Sequence, residues 1–264
     1  MIGNKTKENN DKKVNSREME KLRREFPQFF TKEGDFKLDS FQDFLKEEEV
    51  DLSKEGYELK FLGKSYAKYL SSLETETYLS PDTENNQREE NKDSENLYIV
   101  GDNIDALKHL LGSYCGKIKC IYIDPPYNTG SDGFVYPDSF KFTKDELART
   151  IGITEEEAGR ILDLSGKSTH SAWMTFMYPR LVLARDLLSD DGVIFISVDY
   201  NEQANLRLIC DEIYGEENFV GEIYWESKTK SQNTKTSFNK LQPKVEKIFL
   251  YKMNCNNYCD KMLL

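Results

Sequence analysis

The sequence predicts an α/β fold in which buried β-strands alternate with helices. Two continuous apolar runs, "IKCIYID" and "VIFISVD", have the character of parallel strands that are covered on both faces. The stretch "LYIVGDNIDALKHLLG" places a short apolar run and a helical pattern before the first of them, which is the order of a βαβ unit. A hydrophobic content of 38% in 264 residues is sufficient for one sizeable domain with a smaller appendage.

The later part of the sequence continues this alternation. The stretch "FTKDELARTIGITEEEAGRILDLSG" predicts two short helices, and Thr154 with Glu157 three residues later indicates the start of the second. A longer helix is predicted at "SAWMTFMYPRLVLARDLLSDDG", with Trp173 in the core and a kink at Pro179. After a helix that ends at Gly215, "FVGEIYWES" and "EKIFLYK" predict two strands that pair antiparallel at the end of the sheet.

Composition divides the chain into three parts. Residues 1–80 predict a small, mostly helical appendage, with a polar and frayed start over residues 1–20. Residues 81–96, "PDTENNQREENKDSEN", are polar and have no aliphatic side chain, which is typical of a linker. Residues 97–264 contain the predicted strands and therefore the main domain.

Charge and cysteine content exclude several classes of protein. A formal net charge of −11 disfavours a surface for non-specific nucleic-acid binding, because phosphates require local Lys and Arg, although a local basic patch remains compatible with it. No run approaches the ~18 apolar residues of a membrane span, and the N-terminal stretch has no apolar segment of a signal peptide. Among the five cysteines, Cys255 and Cys259 lack the second pair or histidine of a zinc site. The sequence thus predicts a cytoplasmic protein with reduced thiols, no membrane contact and no metal site.

The stretch "CIYIDPPYNTG" places an acid, two prolines and a tyrosine at the end of an apolar strand. In open α/β sheets, ligands bind outside the carboxyl ends of the parallel strands, and Asp124 is expected at that edge. Proline restricts the residue before it and donates no N–H, so Asp124, Pro125 and Pro126 form a stiff segment that offers only acceptors. Tyr127 adds a flat aromatic ring beside these acceptors.

Two acceptors and an aromatic ring suit a planar group that carries an NH2, such as the exocyclic amine of a nucleobase. Accepting both amine hydrogens at the Asp124 carboxylate and the Pro125 carbonyl favours the tetrahedral nitrogen, whose lone pair can attack; a bond to a charged acceptor contributes about 1.5–3 kcal/mol. Stacking on Tyr127 contributes on the order of 1–3 kcal/mol towards the flipping of a base out of the duplex. The alternative is that the prolines only end the strand and that Tyr127 only packs.

The sequence Asp-Pro-Pro-Tyr resembles the catalytic motif of the amino methyltransferases that act on DNA and transfer a methyl group from S-adenosylmethionine to adenine N6 or cytosine N4. The stretches "GDNIDALKHLLGSYCGKIKCIYIDPPYNTG", "SAWMTFMYPRLVLARDLLSDDGVIFISVD" and "NEQANLRLICDEIYGEENFVG" resemble, in this order, the modification subunit of type III restriction–modification systems. The resemblance covers residues 97–225, and residues 1–80 more loosely.

This resemblance implies a Rossmann-like methyltransferase sheet in the circularly permuted order, with the catalytic half first. It implies that Asp124, Pro125, Pro126 and Tyr127 are catalytic residues, that adenine N6 is the target and that S-adenosylmethionine is the cofactor. Double-stranded DNA and a restriction subunit are the implied partners, and a homodimer is also compatible with the resemblance.

The sequence departs from this family in two places. The Phe-x-Gly-x-Gly turn that binds S-adenosylmethionine is absent, because no two of the fifteen glycines are separated by a single residue. The His-Glu pair that often precedes the last strand lacks its His in "PKVEKIFLYK". We therefore expect a truncated chain that holds the catalytic half and has little activity alone. The alternatives are a non-catalytic remnant or DNA-binding module and a cytosine-N4 methyltransferase.

Two further acids are weak candidates for a cofactor pocket. Asp199 follows "VIFISV", and it either lines the pocket or caps the next helix. The family usually carries two acids here, whereas Tyr200 follows Asp199 in this chain. Asp102, in "VGDN", is either a turn and cap residue or a wall of the pocket.

Two segments near the predicted site leave two interpretations open. The loop at residues 128–140 either closes over the substrate or is an ordinary surface loop. Residues 228–252 carry seven lysines and one acid, Glu246, and either contact phosphates or form a solvated loop with a lysine-rich edge strand. His170 is expected to be a loop or capping residue without a catalytic role.

Overall fold

The structure, a computed structural model, describes residues 9, 11–47, 50, 58–130, 132–137, 142–226 and 244–253. The α-helices in these residues are α1 (Ser16–Glu25), α2 (Leu38–Glu47), α3 (Lys64–Ser72), α4 (Thr83–Asn86), α5 (Asn103–Tyr114), α6 (Lys144–Ile151), α7 (Glu155–Leu162), α8 (His170–Leu187) and α9 (Gln203–Tyr214). Short 3-10 helices span Pro27–Phe29 and Glu216–Asn218. The predicted start of α7 is confirmed, because the Thr154 hydroxyl accepts a hydrogen bond from the Glu157 N–H at 3.1 Å.

Four strands form one mixed sheet: β1 (Ile118–Ile123), β2 (Leu188–Val198), β3 (Phe219–Glu226) and β4 (Val245–Lys252). Their order is β1-β2-β4-β3, with β1 parallel to β2 and with β4 antiparallel to both of its neighbours. Strand β3 therefore runs in the same direction as β1 and β2. The antiparallel pair predicted for the end of the sheet is confirmed, and the described chain has the mixed α/β character that the sequence predicts.

Helix α8 is the centre of the apolar core. Helices α3, α5 and α9 all pack against it, which explains why its apolar residues cover much of its circumference. Trp173 is fully buried, as predicted, in a cluster with Ala67 of α3 and Ile194 and Ile196 of β2. Pro179 lies inside the helix, which ends at Leu187. The predicted helix over residues 171–192 is therefore wrong at its end, because residues 188–192 form the start of β2. Burial of each large apolar side chain contributes about 1.5–3 kcal/mol, so this helix joins the sheet to the helical layer.

Strand β1 differs from the prediction of a strand covered on both faces. Within the described residues β2 is its only strand neighbour, so the other edge of β1 is unpaired. Tyr122 is 60% exposed, and Cys120 is exposed as well. An apolar run indicates that a segment tends to form a strand. Whether both faces of the strand are buried depends on neighbouring elements elsewhere in the chain.

The run "LYIV" does not form the predicted strand. Residues 97–100 belong to no strand, and Tyr98 is 92% exposed. The predicted βαβ unit is therefore incomplete, because β1 does not pair with this run. Helix α5 between them forms as predicted, and its first residue is Asn103.

An ion cluster ties helix α1 to helix α8. Asp186 of α8 accepts hydrogen bonds from Arg17 Nε at 2.7 Å and from Lys21 Nζ at 2.5 Å, and its side chain is only 6% exposed. Burial alone would raise the pKa of Asp186, but Arg17, Lys21 and Arg185 lower it below its usual value. The two basic groups of α1 converge on one nearly buried carboxylate, so this cluster holds α1 against α8.

Some predictions concern residues outside the described ranges, among them Cys255, Cys259 and most of the lysine-rich segment. In the described ranges, no three His, Cys, Asp or Glu side chains are arranged to hold a metal ion. None of the helices given above is long and apolar enough to cross a bilayer.

Candidate active site

The carboxyl ends of β1 and β2 lie at one edge of the sheet, and the residues after β1 form the candidate site. Strand β1 ends at Ile123, and Asp124 follows with an exposed side chain. Pro125, Pro126 and Tyr127 are half-buried beside it. We call residues 124–128 the DPPY loop. Its acid is at the surface, and its ring is partly accessible rather than enclosed in the core.

The Tyr127 hydroxyl lies close enough to the Asp124 carboxylate for this acid to raise the pKa of Tyr127. Burial raises the pKa of Tyr127, and the negative charges of Asp124 and Glu246 raise it further, so the hydroxyl remains a donor at neutral pH. Glu246 belongs to the first residues of β4, which reach this edge because β4 is antiparallel to β2. No Lys, Arg or His of the described ranges forms a salt bridge with Asp124. The Asp124 carboxylate is therefore beside a neutral hydroxyl and not beside a cation.

The two proline carbonyls of the DPPY loop have different environments. The Pro126 carbonyl accepts a hydrogen bond from the indole Nε1 of Trp173 at 2.6 Å, which fastens the loop to α8. A buried Trp requires an acceptor for its N–H, and the loop supplies it. No donor in the described part of the chain reaches the Pro125 carbonyl. Trp173 is therefore both a core residue and a support of the loop, and its size in the sequence indicated only the first.

Asp199 follows β2 at the same edge and is 8% exposed. Its carboxylate accepts hydrogen bonds from the Asn201 backbone N–H at 2.8 Å and from the Asn201 side-chain amide at 2.7 Å. Burial raises the pKa of Asp199, as do Glu246 and Asp132, and the bonds from Asn201 oppose this rise. The carboxylate thus closes the turn that leads into α9.

Asp102 precedes α5 and caps it. Its carboxylate accepts a hydrogen bond from the Ile104 N–H at 2.8 Å. Arg180 Nη2 lies 3.6 Å from the same oxygen, and Arg180 Nε donates to the Asn103 side chain at 2.6 Å. The start of α5 and one arginine of α8 therefore engage this carboxylate.

A buried cluster beside the DPPY loop has no counterpart in the predictions. Glu202 is 0% exposed, and its Oε1 accepts hydrogen bonds from Asn128 Nδ2 at 2.5 Å and from His170 Nδ1 at 2.8 Å. His170 is the first residue of α8. Acidic residues are common at the N-termini of helices. Nothing in the sequence therefore distinguishes Glu202 from an ordinary residue of this kind.

The loop beyond Asn128 packs onto the domain where it is described. Burial would raise the pKa of Asp132, but hydrogen bonds from the backbone N–H groups of Phe134 and Thr129 lower it. Phe134 and Tyr136 are buried. Residues 131 and 138–141 lie outside the described ranges, and both interpretations of this loop remain predictions.

Lys247 belongs to the described end of the lysine-rich segment. Its Nζ lies 3.0 Å from Glu222 Oε2 and 5.1 Å from the centre of the Tyr224 ring. These contacts within the sheet engage Lys247, while residues 227–243 are outside the described ranges.

The chain is similar to several known proteins. The family model described as DNA methylase matches residues 118–263, which is more than half of the chain. The type III restriction-modification enzyme EcoP15I Mod subunit of Escherichia coli is 51% identical over 218 residues, which are 82% of this chain and 34% of that protein. The StyLTI Mod subunit of Salmonella typhimurium is 45% identical over 244 residues, or 88% of this chain and 37% of that protein. Type II methyltransferase M.KpnI of Klebsiella pneumoniae is 34% identical over 158 residues, or 60% and 32%.

The chain spans about a third of the length of the curated relatives it matches. The range matched by the family model begins with β1 and contains the DPPY loop and strands β2 to β4. The resemblance to type III modification subunits that the motif predicts is confirmed by relatives at 45–51% identity. The chain therefore belongs to the DNA methylase family.

Proposed function

We propose that this chain forms the catalytic half of an S-adenosylmethionine-dependent DNA methyltransferase that modifies adenine N6. One observation carries the proposal: an exposed Asp124 carboxylate directly follows a strand of the parallel pair β1–β2, beside a half-buried Tyr127, in a member of the DNA methylase family. Ligands of open α/β sheets bind at this edge.

The chemistry of the DPPY loop supports a flipped base as the substrate. The Asp124 carboxylate and the Pro125 carbonyl would accept the two hydrogens of the amine, which turns the nitrogen lone pair out of conjugation with the ring. As the nitrogen gains positive charge, the bond to Asp124 strengthens and the carboxylate is placed to take the proton that is released. The Tyr127 ring would stack on the base.

The sheet supports a finer assignment of the fold. In a Rossmann-like methyltransferase sheet, we expect parallel strands followed by one reversed strand inserted before the last, and the order β1-β2-β4-β3 has this form. The unpaired edge of β1 would then carry the strands of a cofactor-binding half. The exposed run at residues 97–100 would gain its partners from the same half.

The described residues do not fit S-adenosylmethionine by themselves. Asp102 caps α5 and Asp199 closes a turn, so neither weak candidate presents an uncommitted carboxylate to a cofactor. We therefore assign the methyl donor to the cofactor-binding half of the full-length protein. The residues described here would bind the base, orient its amine and accept its proton.

The names of the relatives support the proposed partners. Several relatives are Mod subunits of type III restriction-modification enzymes, so we propose double-stranded DNA as the substrate and a restriction subunit as the partner.

Methyl transfer by the full-length protein tests this function. The protein would be incubated with S-adenosylmethionine labelled in its methyl group and with unmethylated genomic DNA, so that the recognition sequence need not be known. Hydrolysis to nucleosides should yield labelled N6-methyladenine with the wild-type protein and none with Asp124→Ala. Labelled N4-methylcytosine would correct the target base. Absence of any labelled base, in a protein that binds DNA, would contradict the proposal.

A further inference from the structure

Glu202 is a buried carboxylate whose position the turn before α9 does not explain. It occupies the residue before the first turn of α9, yet its side chain makes no capping hydrogen bond to that helix. It points instead towards the DPPY loop, where Asn128 Nδ2 donates to Oε1 at 2.5 Å. Asn205 Nδ2 donates to the other oxygen at 2.7 Å, and His170 Nδ1 lies 2.8 Å from Oε1.

The charge of Glu202 is balanced by dipoles rather than by a permanent cation. Within the described ranges, His170 is the only basic side chain within salt-bridge distance of it. A fully buried carboxylate without Lys or Arg is unfavourable unless its hydrogen bonds are well formed, so its donors must stay in place. The carboxylate and the Asn128 amide therefore restrain each other.

Asn128 has an unusual conformation that this restraint explains. Its φ of +56° is the only positive φ of a non-glycine residue in the described ranges, and Asn tolerates this region better than most residues. Its Oδ1 is buried without a hydrogen-bond partner there. The side chain thus leaves its own carbonyl unsatisfied in order to direct its amide at Glu202.

The DPPY loop is therefore held on both sides of Tyr127. Pro126 is bonded to Trp173 of α8 before it, and Asn128 is bonded to Glu202 after it. We propose that Glu202 is a positioning residue, which fixes the backbone of Asn128 and thereby the placement of Tyr127 and Asp124. Its value for catalysis rests on the proposed function above.

Helix α9 does not need Glu202 in order to pack. Its buried side chains Leu206, Ile209 and Cys210 lie in the main apolar cluster. Replacement of Glu202 by Gln keeps the volume but turns one acceptor oxygen into a donor. The negative charge is lost as well, so the bond from Asn128 becomes a weaker neutral one even where the remaining oxygen keeps its place, while the helix remains.

Trp173 gives a spectroscopic readout of the loop that requires no activity. The chain contains two tryptophans, so in a Trp225→Phe background the single indole N–H resonance belongs to Trp173 and reports its bond to Pro126. In this 264-residue chain, Glu202→Gln should move that resonance upfield and speed its hydrogen exchange at least ~10-fold, while the far-ultraviolet circular dichroism stays unchanged.

Two further variants keep this test decisive. Asn128→Gly tolerates the positive φ, leaves α9 intact and should reproduce the effect of Glu202→Gln. Asn205→Ala removes a donor that contacts Glu202 but not the loop. The exchange rate of the Trp173 indole N–H should then stay within ~2-fold of its value in the Trp225→Phe background. An indole resonance that responds to neither Glu202→Gln nor Asn128→Gly would overturn the proposal.

Kinetics of the full-length protein separate this inference from the proposed function. Glu202→Gln and Asn128→Gly should lower kcat by about 10- to 100-fold, because small misplacements of reacting groups have effects of this size, and should change the KM for DNA less than ~3-fold. If the wild-type protein transfers no methyl group but the two variants still alter the Trp173 indole resonance, the proposed function is contradicted and the positioning role stands. Full activity in both variants would contradict the positioning role alone.

Discussion

Two neighbouring parallel strands, β1 and β2, are each followed by an aspartate at the same edge of the sheet, and the two carboxylates have different surroundings. Asp124 after β1 is exposed, and its charge raises the pKa of the neighbouring Tyr127 hydroxyl. Asp199 after β2 is 8% exposed and accepts two hydrogen bonds from Asn201. An acid at a strand end is therefore not sufficient to mark a substrate-binding group.

The residue two positions later accounts for the difference. An aspartate readily accepts a hydrogen bond from the backbone N–H two residues on, which closes a local turn. Asn201 offers that N–H to Asp199 at 2.8 Å. Pro126 stands at the same distance from Asp124 and has no N–H to offer. The prolines thus keep the Asp124 carboxylate away from the local backbone and available at the surface.

The largest expected effect is the difference in methyl-transfer rate between a substitution of Asp124 and a substitution of Asp199. In the full-length protein, Asp124→Ala should lower the single-turnover rate of methyl transfer at least ~100-fold, as for the loss of one transition-state hydrogen-bond partner. Asp199→Asn, which still accepts the Asn201 N–H, should lower it less than ~5-fold. Equal losses in the two variants would mean that both acids act on the substrate.

An intermediate effect is expected when a backbone N–H is restored after β1. Pro126→Ala should allow the new amide at position 126 to bond to Asp124, and one neutral amide bond is worth about 1 kcal/mol. The rate of methyl transfer should then fall about 5- to 10-fold, because a substrate amine must compete with this bond. Pro125→Ala places its new N–H one residue closer, where this turn cannot form, and serves as the matched control.

The smallest effect concerns the pH dependence of stability at the end of β2. Burial raises the pKa of Asp199, so the folded state binds its proton more readily than the unfolded state does. This group therefore favours folding most below its unfolded pKa, and its contribution falls as the pH rises through the raised folded pKa. Asp199→Asn abolishes this dependence.

Urea unfolding at pH 4 and pH 7 measures that contribution. The free energy of unfolding of the wild-type chain relative to Asp199→Asn should be greater at pH 4 than at pH 7. A relative stability that increases towards pH 7 would indicate a lowered pKa and a different environment for Asp199.

Local patterns in the sequence were sufficient for the existence of helices α6 to α9 and strands β2 to β4 and for the location of the DPPY loop, although residues 188–192 were predicted in α8 and belong to β2. Periodicity and capping act within a few residues, and the Thr154 cap is an example. Failures arose where distant segments decide the outcome. Residues 97–100 have the composition of a strand but pair with no strand among the described residues, where β1 also lacks a neighbour on one side.

The supports of the site escaped prediction for the same reason. The bond from Trp173 to Pro126 joins residues 47 positions apart, and the bond from Asn128 to Glu202 joins residues 74 apart. Trp173 had the pattern of a core residue, and Glu202 had that of a helix start. A motif of four consecutive residues is visible in a sequence, whereas the distant residues that contact it are not.

Hydrogen exchange of the new amide in Pro126→Ala tests most directly whether proline keeps Asp124 unbound by the backbone. We predict that this amide exchanges at least ~10-fold more slowly in Pro126→Ala than in the double variant Pro126→Ala/Asp124→Ala, as expected for an amide bonded to a carboxylate. Equal exchange rates in the two proteins would show that Asp124 does not reach the backbone even when an N–H is present, and would contradict the account of the two strand ends.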